Sequence, residues 1–188
     1  MPPELADGSR GRRITVVKKE KKEAKSFVFH EVFGEDTTQE SLYDQVVKPL
    51  LARAALKGVS ATILAYGQTG SGKTHTIMGE NSDSGVVPRL VDDLHERYGA
   101  SNISACFVQL YNNEFRDLFG RVGRTVSARE VAGGGLELAD AAEIRGDKMD
   151  SAAMKAKILE GNEYRATGET NMNDASSRSH AILTFKVN

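Results

Sequence analysis

Gly67-Gln68-Thr69-Gly70-Ser71-Gly72-Lys73-Thr74 is the stretch of this sequence that decides the fold, because it fits the pattern G-x-x-x-x-G-K-[ST]. Small residues at these positions let successive backbone N–H groups turn inward and surround the α- and β-phosphates of a nucleotide. Lys73 supplies a positive charge for the β- and γ-phosphates, and the Thr74 hydroxyl is a natural ligand for Mg²⁺. The stretch therefore predicts a phosphate-binding loop with Thr74 as a metal ligand.

The residues on either side of this loop have the context that such a loop requires. Ser60–Tyr66 is a short apolar run typical of a buried strand, and Lys73–Met78 is predicted to begin a helix. The competing interpretation is a glycine-rich turn with an unrelated lysine, but the bare pattern should arise by chance in roughly one per cent or fewer of chains this long. Neither the guanine-specific N-K-x-D motif nor an LSGGQ motif occurs, so the sequence favours an adenine nucleotide.

The composition is that of an ordinary globular domain. Of the 188 residues, 39% are hydrophobic and 27% are charged, and the net charge of -1 argues against nucleic-acid binding driven by overall charge. The single Cys106 excludes an internal disulfide framework, and no apolar run approaches the ~20 residues of a membrane span. These features predict a soluble, intracellular protein with neither a nucleic acid nor a membrane as its partner.

Hydrophobic periodicity predicts an α/β fold. Residues 1–12 have the composition of a flexible N-terminus, so the folded domain is expected over residues 13–188. Strand patterns occur at Arg13–Val17, Ile103–Tyr111, Leu136–Leu138, Glu143–Arg145 and Ala181–Val187, and helical patterns at Thr38–Lys57, Val86–Tyr98 and Ser151–Gly161. Gly120–Gly135 is predicted to be a long loop. Strands that alternate with helices indicate a layered sheet flanked by helices, as in P-loop nucleotide-binding proteins.

Local signals mark the ends of two of these helices. Thr37 or Thr38 can cap the first helix, and Gly58 should end it. Pro49 lies inside the same pattern and should kink it, because proline has no N–H group to donate. Ser151 is expected to cap the last helix.

A second motif lies near the C-terminus. Asn173–His180 has the pattern N-x-x-S-S-R-S-H, and together with the phosphate-binding loop it resembles the kinesin motor domain. Weaker matches keep the family's order at Phe27–Phe33, Gln39–Tyr43, Gly85–Arg89, Leu110–Glu114 with Asp117 and Leu118, and Thr170–Asn173. The resemblance therefore extends from Phe27 to the C-terminus, and the two nucleotide motifs are highly specific in combination.

The resemblance implies an ATPase that couples sensing of the γ-phosphate to binding of microtubules, located in the cytoplasm and on the cytoskeleton. Ser177 would be a further ligand for Mg²⁺ in the ATP state, and Ser176 would help to position the attacking water. Asn173 would contact the γ-phosphate region, Arg178 would pair with an acidic residue of the family's second switch segment, and His75 would pack near adenine. The implied cofactors are ATP or ADP and Mg²⁺, and the implied partner of the intact protein is the microtubule.

Two parts of the family pattern do not occur in these 188 residues. The stretch Arg10–Arg13 contains no R-x-R-P motif, and Leu136–Asp140 lacks the glycine and glutamate of the family's D-L-A-G-S-E motif. Because that motif would supply the partner of Arg178, this chain alone is expected to hydrolyse ATP weakly or not at all. The same motifs lie beside central strands in the family, so exposed sheet edges and self-association are also expected.

Three functional hypotheses follow. The first is a Mg²⁺-dependent ATP site of the kinesin type, which explains both nucleotide motifs. The second is a non-motile module that holds nucleotide without turnover, or that completes its sheet with another chain. The third, an unrelated P-loop kinase or ATPase, leaves the S-S-R-S-H run unexplained.

Overall fold

The computed structural model describes residues 11–18, 23–80, 83–132, 135–170 and 179–188. Its strands are β1 Arg12–Lys18, β2 Glu23–Phe29, β3 Gly79–Glu80, β4 Asp83–Ser84, β5 Ile103–Tyr111, β6 Glu114–Asp117, β7 Thr125–Val131, β8 Gly135–Ala139, β9 Glu143–Arg145 and β10 Ser179–Val187. Its α-helices are α1 Gln39–Leu42, α2 Lys48–Lys57, α3 Lys73–Met78, α4 Val86–Tyr98 and α5 Ser151–Thr170. A π-helical turn, Tyr43–Val47, joins α1 to α2. No helix in the described part of the chain has both the length and the apolar character needed to cross a bilayer.

Strand β5 pairs with three other strands of the six-stranded main sheet, whose strand order is β10-β5-β6-β7-β8 with β9 also paired to β5. One edge of β5 pairs with β10 along its full length, from Tyr111 opposite Ser179 to Ile103 opposite Val187. The other edge pairs first with β9 and then with β6. These pairings are all antiparallel, as is the separate hairpin formed by β1 and β2. The sheet is therefore built outward from the strand with the strongest apolar pattern in the sequence.

The core lies between this sheet and the helices α4 and α5. Helix α4 buries side chains at helical spacing, so one face packs against the sheet while the charged face meets solvent. The main buried members of the core are Tyr43, Val47, Val86, Val87, Leu90, Val91, Leu94, Ile103, Ala105, Phe107, Leu118, Phe119, Met154 and Ile158. The sequence predictions of helix at Val86–Tyr98 and strand at Ile103–Tyr111 are confirmed residue for residue.

The prediction that Ser60–Tyr66 is a buried strand is wrong. This segment has no regular secondary structure, and its side chains are mostly exposed, with 81% of Leu64 and 95% of Tyr66 accessible to solvent. An extended segment becomes a strand only when a neighbour satisfies its backbone N–H and C=O groups. No strand within the described ranges pairs with residues 60–66, so the apolar pattern has no sheet to join.

Gly120–Gly135 is not the long loop that the sequence predicts. Strand β7 lies within it, with Val126 buried and opposite Phe115 of β6. The run Ser127–Glu130 is exposed and contains Arg129 and Glu130, so it carries little of the alternating apolar pattern that marks a strand. Pairing with β6 and β8, rather than local pattern, makes this segment a strand.

Helix α5 is capped and ended differently from the prediction. The cap is Asp150 rather than Ser151, because the Asp150 carboxylate accepts a hydrogen bond from the backbone N–H of Ala153 at 2.8 Å. The helix also continues through Gly161 to Thr170. A Cβ atom at position 161 would come within 2.8 Å of the Leu118 carbonyl oxygen. Gly161 therefore allows close packing and does not end the helix.

The predicted helix at 38–57 is confirmed, with one irregular turn. Within the π-helical turn, the N–H of Lys48 bonds to the carbonyl of Tyr43, five residues earlier. The turn lies immediately before Pro49, which lacks an N–H group and crowds the carbonyl four residues earlier. The disturbance expected at Pro49 thus takes the form of a wider turn. Gly58 ends the helix as predicted, with a φ of 61°.

Thr38→Ala is expected to lower the free energy of unfolding by about 1 kcal/mol, the usual loss for removing a helix cap. The Thr38 hydroxyl accepts a hydrogen bond from the N–H of Ser41 at 3.1 Å, and alanine has no acceptor to replace it. Urea unfolding followed by circular dichroism measures the difference. Thr37→Ala is the matched control, and an equal loss in both variants would contradict the assignment of the cap to Thr38.

Candidate functional site

The glycine-rich loop, residues 67–74, follows the irregular segment 60–66 and continues into helix α3. Gly70 and Gly72 have φ values of 79° and 85°, in the left-handed region that residues with a Cβ atom rarely adopt. A hydrogen bond of 3.2 Å from the N–H of Ser71 to the Gln68 carbonyl closes the turn. A Cβ atom at position 67 would collide with the Ser71 hydroxyl. The glycines of the motif therefore permit this tight conformation.

The Lys73 ammonium group lies across this loop. Its Nζ donates hydrogen bonds to the carbonyl oxygens of Gly67 and Gln68, at 2.8 and 2.7 Å. These bonds fold the side chain back over the turn, so its positive charge lies beside the backbone of the loop. The residues present thus fit a phosphate group, because an anion in this concave loop would meet both the ammonium and small side chains that leave the backbone accessible.

The first turn of α3 carries two further residues of the predicted site. The Thr74 side chain is exposed, where its hydroxyl can reach a ligand at the loop. The His75 ring is about half exposed, and its Nδ1 lies 3.8 Å from a carboxylate oxygen of Glu80. The loop and this turn place residues 67–75 in one continuous stretch of backbone, and their binding of a nucleotide stays a prediction.

Gln39 contacts the first turn of α3, and the sequence places it only in the weak family match at Gln39–Tyr43. Only 6% of its surface is exposed, and its Nε2 donates a hydrogen bond of 2.7 Å to the backbone carbonyl of His75. This bond ties the start of α1 to the helix that follows the loop. A glutamine directly after a helix cap carries no sequence signal for such a role, because helix starts commonly place polar residues there.

A cavity of about 340 Å³ lies behind α3. Its walls come from α3, the β3–β4 hairpin, α4 and α5, and include Met78, Val87, Lys155 and Ile158. Of the eight residues in the glycine-rich loop, only Thr74 lines the cavity. The cavity therefore adjoins the glycine-rich loop at Thr74.

The second predicted group of site residues lies outside the described part of the chain. Asn173, Ser176, Ser177 and Arg178 fall between the end of α5 at Thr170 and the start of β10 at Ser179. The described residues contain no group of three or more His, Cys, Asp or Glu side chains arranged to hold a metal ion. For Mg²⁺ they offer the hydroxyl oxygen of Thr74, a ligand type that this hard cation prefers.

A family model gives the widest match to this chain. The model of the kinesin motor domain matches residues 7–188. Among curated proteins, the mouse kinesin-like protein KIF7 is 38% identical over 175 residues, which cover 86% of this chain and 13% of that protein. The rice kinesin-like protein KIN-5B is 34% identical over 200 residues, covering 94% of this chain and 19% of that protein.

Solved structures agree with the sequence comparisons. A chain of KIF14, solved as a dimer with AMP-PNP in complex with a microtubule, superposes with a TM-score of 0.73 and 30% identity. A chain described as a fast kinesin gives a TM-score of 0.76 and 29% identity. The matches cover 92% and 93% of this chain but only 52% and 53% of the solved chains. The chain thus spans about half the length of these structures, and its sheet flanked by helices is the α/β arrangement they share.

Proposed function

Because this chain belongs to the kinesin motor-domain family, we propose that its residues 67–75 bind Mg·ATP and Mg·ADP. The observation that carries the proposal is the Lys73 ammonium group, which lies on the carbonyls of a glycine-rich turn with two left-handed glycines. A nucleotide phosphate entering this turn would replace neutral carbonyl acceptors of the lysine with a charged one. Charged acceptors give stronger hydrogen bonds, so the exchange favours binding.

The motif at Asn173–His180 would supply the remaining residues of the proposed site. Thr74 and Ser177 would hold Mg²⁺, which neutralises charge on the phosphate oxygens when it is bound. Ser176 would orient the attacking water, Asn173 would contact the γ-phosphate, and Arg178 would hold an acidic partner. Hydroxyl groups and a planar guanidinium are the donors and ligands that these roles need. These assignments extend the family pattern residue by residue to the positions of this chain.

We propose further that the intact protein couples ATP hydrolysis to movement on microtubules and acts on the microtubule cytoskeleton. The relatives are kinesin-like proteins, and the KIF14 structure contains a microtubule. This chain covers about half of the solved motor chains. The D-L-A-G-S-E motif, which would supply the acidic partner of Arg178, does not occur in these 188 residues. The isolated chain should therefore bind nucleotide with little turnover.

A fluorescent-nucleotide titration combined with a phosphate-release assay tests both parts of the proposal. The 188-residue chain should bind Mg·ADP and Mg·ATP more tightly than Mg·GTP, and polymerised tubulin should not accelerate its phosphate release. Equal affinity for GTP would contradict the adenine assignment. Robust acceleration by microtubules would contradict the proposed need for the missing motif, while leaving the nucleotide site intact.

A further inference from the structure

The hydrogen bond from Gln39 to helix α3 reaches the glycine-rich loop through one peptide group. The Gln39 Nε2 donates to the carbonyl oxygen of His75 at 2.7 Å. The same peptide group carries the N–H of Thr76, which donates to the carbonyl of Gly72 at 2.9 Å. Gly72 is the last glycine of the loop, and Thr74 follows it two residues later. One peptide group therefore links the Gln39 side chain to the backbone on either side of Thr74.

The His75 carbonyl has a donor besides Gln39. The N–H of Gly79 donates to the same oxygen at the end of α3, and a carbonyl oxygen has two lone pairs with which to accept both bonds. Hydrogen bonds in series polarise one another, so the bond from Gln39 strengthens the next one, from Thr76 to Gly72. Gln39 is almost fully buried, and its amide would lose a partner if α3 moved away. The bond therefore favours one position of α3 relative to α1.

Gln39 is itself held by the core. It is the first residue of α1, which the Thr38 hydroxyl caps, and one turn later the N–H of Tyr43 donates to the Gln39 carbonyl. The Tyr43 side chain is buried, and its hydroxyl donates to a carboxylate oxygen of Asp93 in α4 at 2.9 Å. Helix α4 in turn packs its apolar face against the sheet. The Gln39 backbone thus has a fixed position from which its side chain can hold α3.

We propose that Gln39 is a positioning residue, which holds the first turn of α3 so that the Thr74 hydroxyl can bind the Mg²⁺ of a nucleotide. This inference rests on the function proposed above, in which Thr74 is a metal ligand. The Thr74 hydroxyl is attached to a short, branched side chain with few rotamers, so the backbone of α3 decides where its oxygen lies. Groups that orient a metal ligand from behind contribute roughly 10–100-fold to metal affinity.

The phosphate contact proposed for Lys73 does not depend on this peptide group. The Lys73 ammonium is held at the loop by its bonds to the carbonyls of Gly67 and Gln68, at the start of the turn. Loss of the Gln39 bond should therefore displace the hydroxyl of Thr74 and leave the charge of Lys73 in place. The part of the nucleotide affinity that depends on Mg²⁺ should fall, and the part that does not should remain.

Titration with fluorescent ADP, once with Mg²⁺ and once with EDTA, measures the two parts separately. Gln39→Met removes the donor but keeps an unbranched side chain that suits a buried position. The ratio of Kd in EDTA to Kd in Mg²⁺ should fall about 10-fold in this variant, the lower end of the range for groups behind a metal ligand. Its Kd in EDTA should match that of the unchanged chain. Gln45→Met is the matched control, because Gln45 is exposed and donates to the Ser41 hydroxyl within the same helical segment.

Two further variants complete the test. Gln39→Glu keeps the shape of the side chain but replaces the donor with an ionised acceptor, so its ratio should fall at least as far as that of Gln39→Met. Thr74→Val removes the hydroxyl and should itself lower the ratio. When Thr74→Val is already present, Gln39→Met should cause no further fall, because the ligand through which Gln39 acts is gone.

The outcomes distinguish this inference from the function on which it rests. A ratio in Gln39→Met equal to that in Gln45→Met would overturn the positioning role, as would falls that add fully in the double variant. An equal weakening of Gln39→Met in EDTA and in Mg²⁺ would show that Gln39 supports the loop as a whole and would also overturn it. If the unchanged chain binds ADP equally with Mg²⁺ and with EDTA, the metal assignment of Thr74 is wrong and this inference fails with it. If the unchanged chain binds no nucleotide, the proposed function is wrong as well.

Discussion

Asp117→Ala is expected to lower the free energy of unfolding by about 3 kcal/mol, because it leaves the buried N–H of Phe119 without an acceptor, at a cost of roughly 1–3 kcal/mol, and removes two further hydrogen bonds from partly buried N–H groups. Only 1% of the Asp117 surface is exposed. One carboxylate oxygen accepts hydrogen bonds from the N–H groups of Phe119 and Gly120, at 2.9 and 3.2 Å. The other accepts one from Ala142 at 3.1 Å. The side chain thus joins the loop that follows β6 to the segment between β8 and β9.

The size of this effect follows from what the carboxylate holds. Phe119 is buried, and its ring lies 5.6 Å from that of Phe107 at the centre of the core. Without the carboxylate, water would have to disturb this packing to reach the buried N–H of Phe119. A loss of this size is a large fraction of a stability of about 5–15 kcal/mol that is typical of domains. Part of the variant should therefore be unfolded at 37 °C.

Urea unfolding measured by circular dichroism decides this prediction, with two further variants as controls. Asp117→Asn keeps one acceptor oxygen and should lose less stability than the alanine variant. Glu96→Ala removes an exposed carboxylate from α4 and should stay within about 0.5 kcal/mol of the unchanged chain. A loss in Asp117→Ala no larger than that in Glu96→Ala would show that water can replace the carboxylate.

The elements that could be predicted from the sequence are those whose own hydrophobic pattern indicates their secondary structure without reference to a neighbour. Helix α4 buries Leu90, Val91 and Leu94 at helical spacing, and β5 carries a long apolar run ended by the turn at Asn112 and Asn113. Their local hydrophobic pattern agrees with their tertiary environment, so the sequence predicts the first and last residue of each element correctly. When local preference and tertiary packing favour the same structure, a sequence specifies a single fold.

The wrong predictions concern segments whose state depends on a distant neighbour. Ser60–Tyr66 has the composition of a strand but no partner among the described strands. Strand β7 has a partner, β6, but little apolar pattern of its own. In both cases pairing with another strand determines whether the segment is a strand, and the sequence of one segment does not encode that pairing.

In the candidate site, too, local features could be predicted from the sequence and contacts between distant residues could not. The turn at 67–74 could be predicted because glycines favour left-handed backbone, which Gly70 and Gly72 adopt, while nucleotide binding there stays a prediction. Gln39 could not be predicted, because its contact with the His75 carbonyl joins residues that lie far apart in sequence. The same holds for Asp117, whose family motif does not indicate that its carboxylate binds the N–H of Ala142, 25 residues away.

Lys73→Ala is expected to weaken binding of Mg·ADP and Mg·ATP by about 1.5–3 kcal/mol, the range for hydrogen bonds to charged groups. That loss corresponds to a rise in Kd of about 10- to 150-fold. The Lys73 ammonium lies at the loop through its bonds to Gly67 and Gln68, so it is already close to where the phosphates would bind. Titration with a fluorescent nucleotide measures both affinities directly.

The design of this experiment must separate loss of the charge from damage to the loop. Lys73 bonds to two carbonyls of an exposed turn, and water can replace it there, so its loss should change the stability to urea by less than about 1 kcal/mol. Lys57→Ala is the matched control, because it removes the same charge from an exposed position at the end of α2. Its affinity for nucleotide should equal that of the unchanged chain. If Lys73→Ala binds nucleotide as tightly as Lys57→Ala does, the ammonium makes no contact with the phosphates, and the nucleotide site assigned to residues 67–75 is wrong.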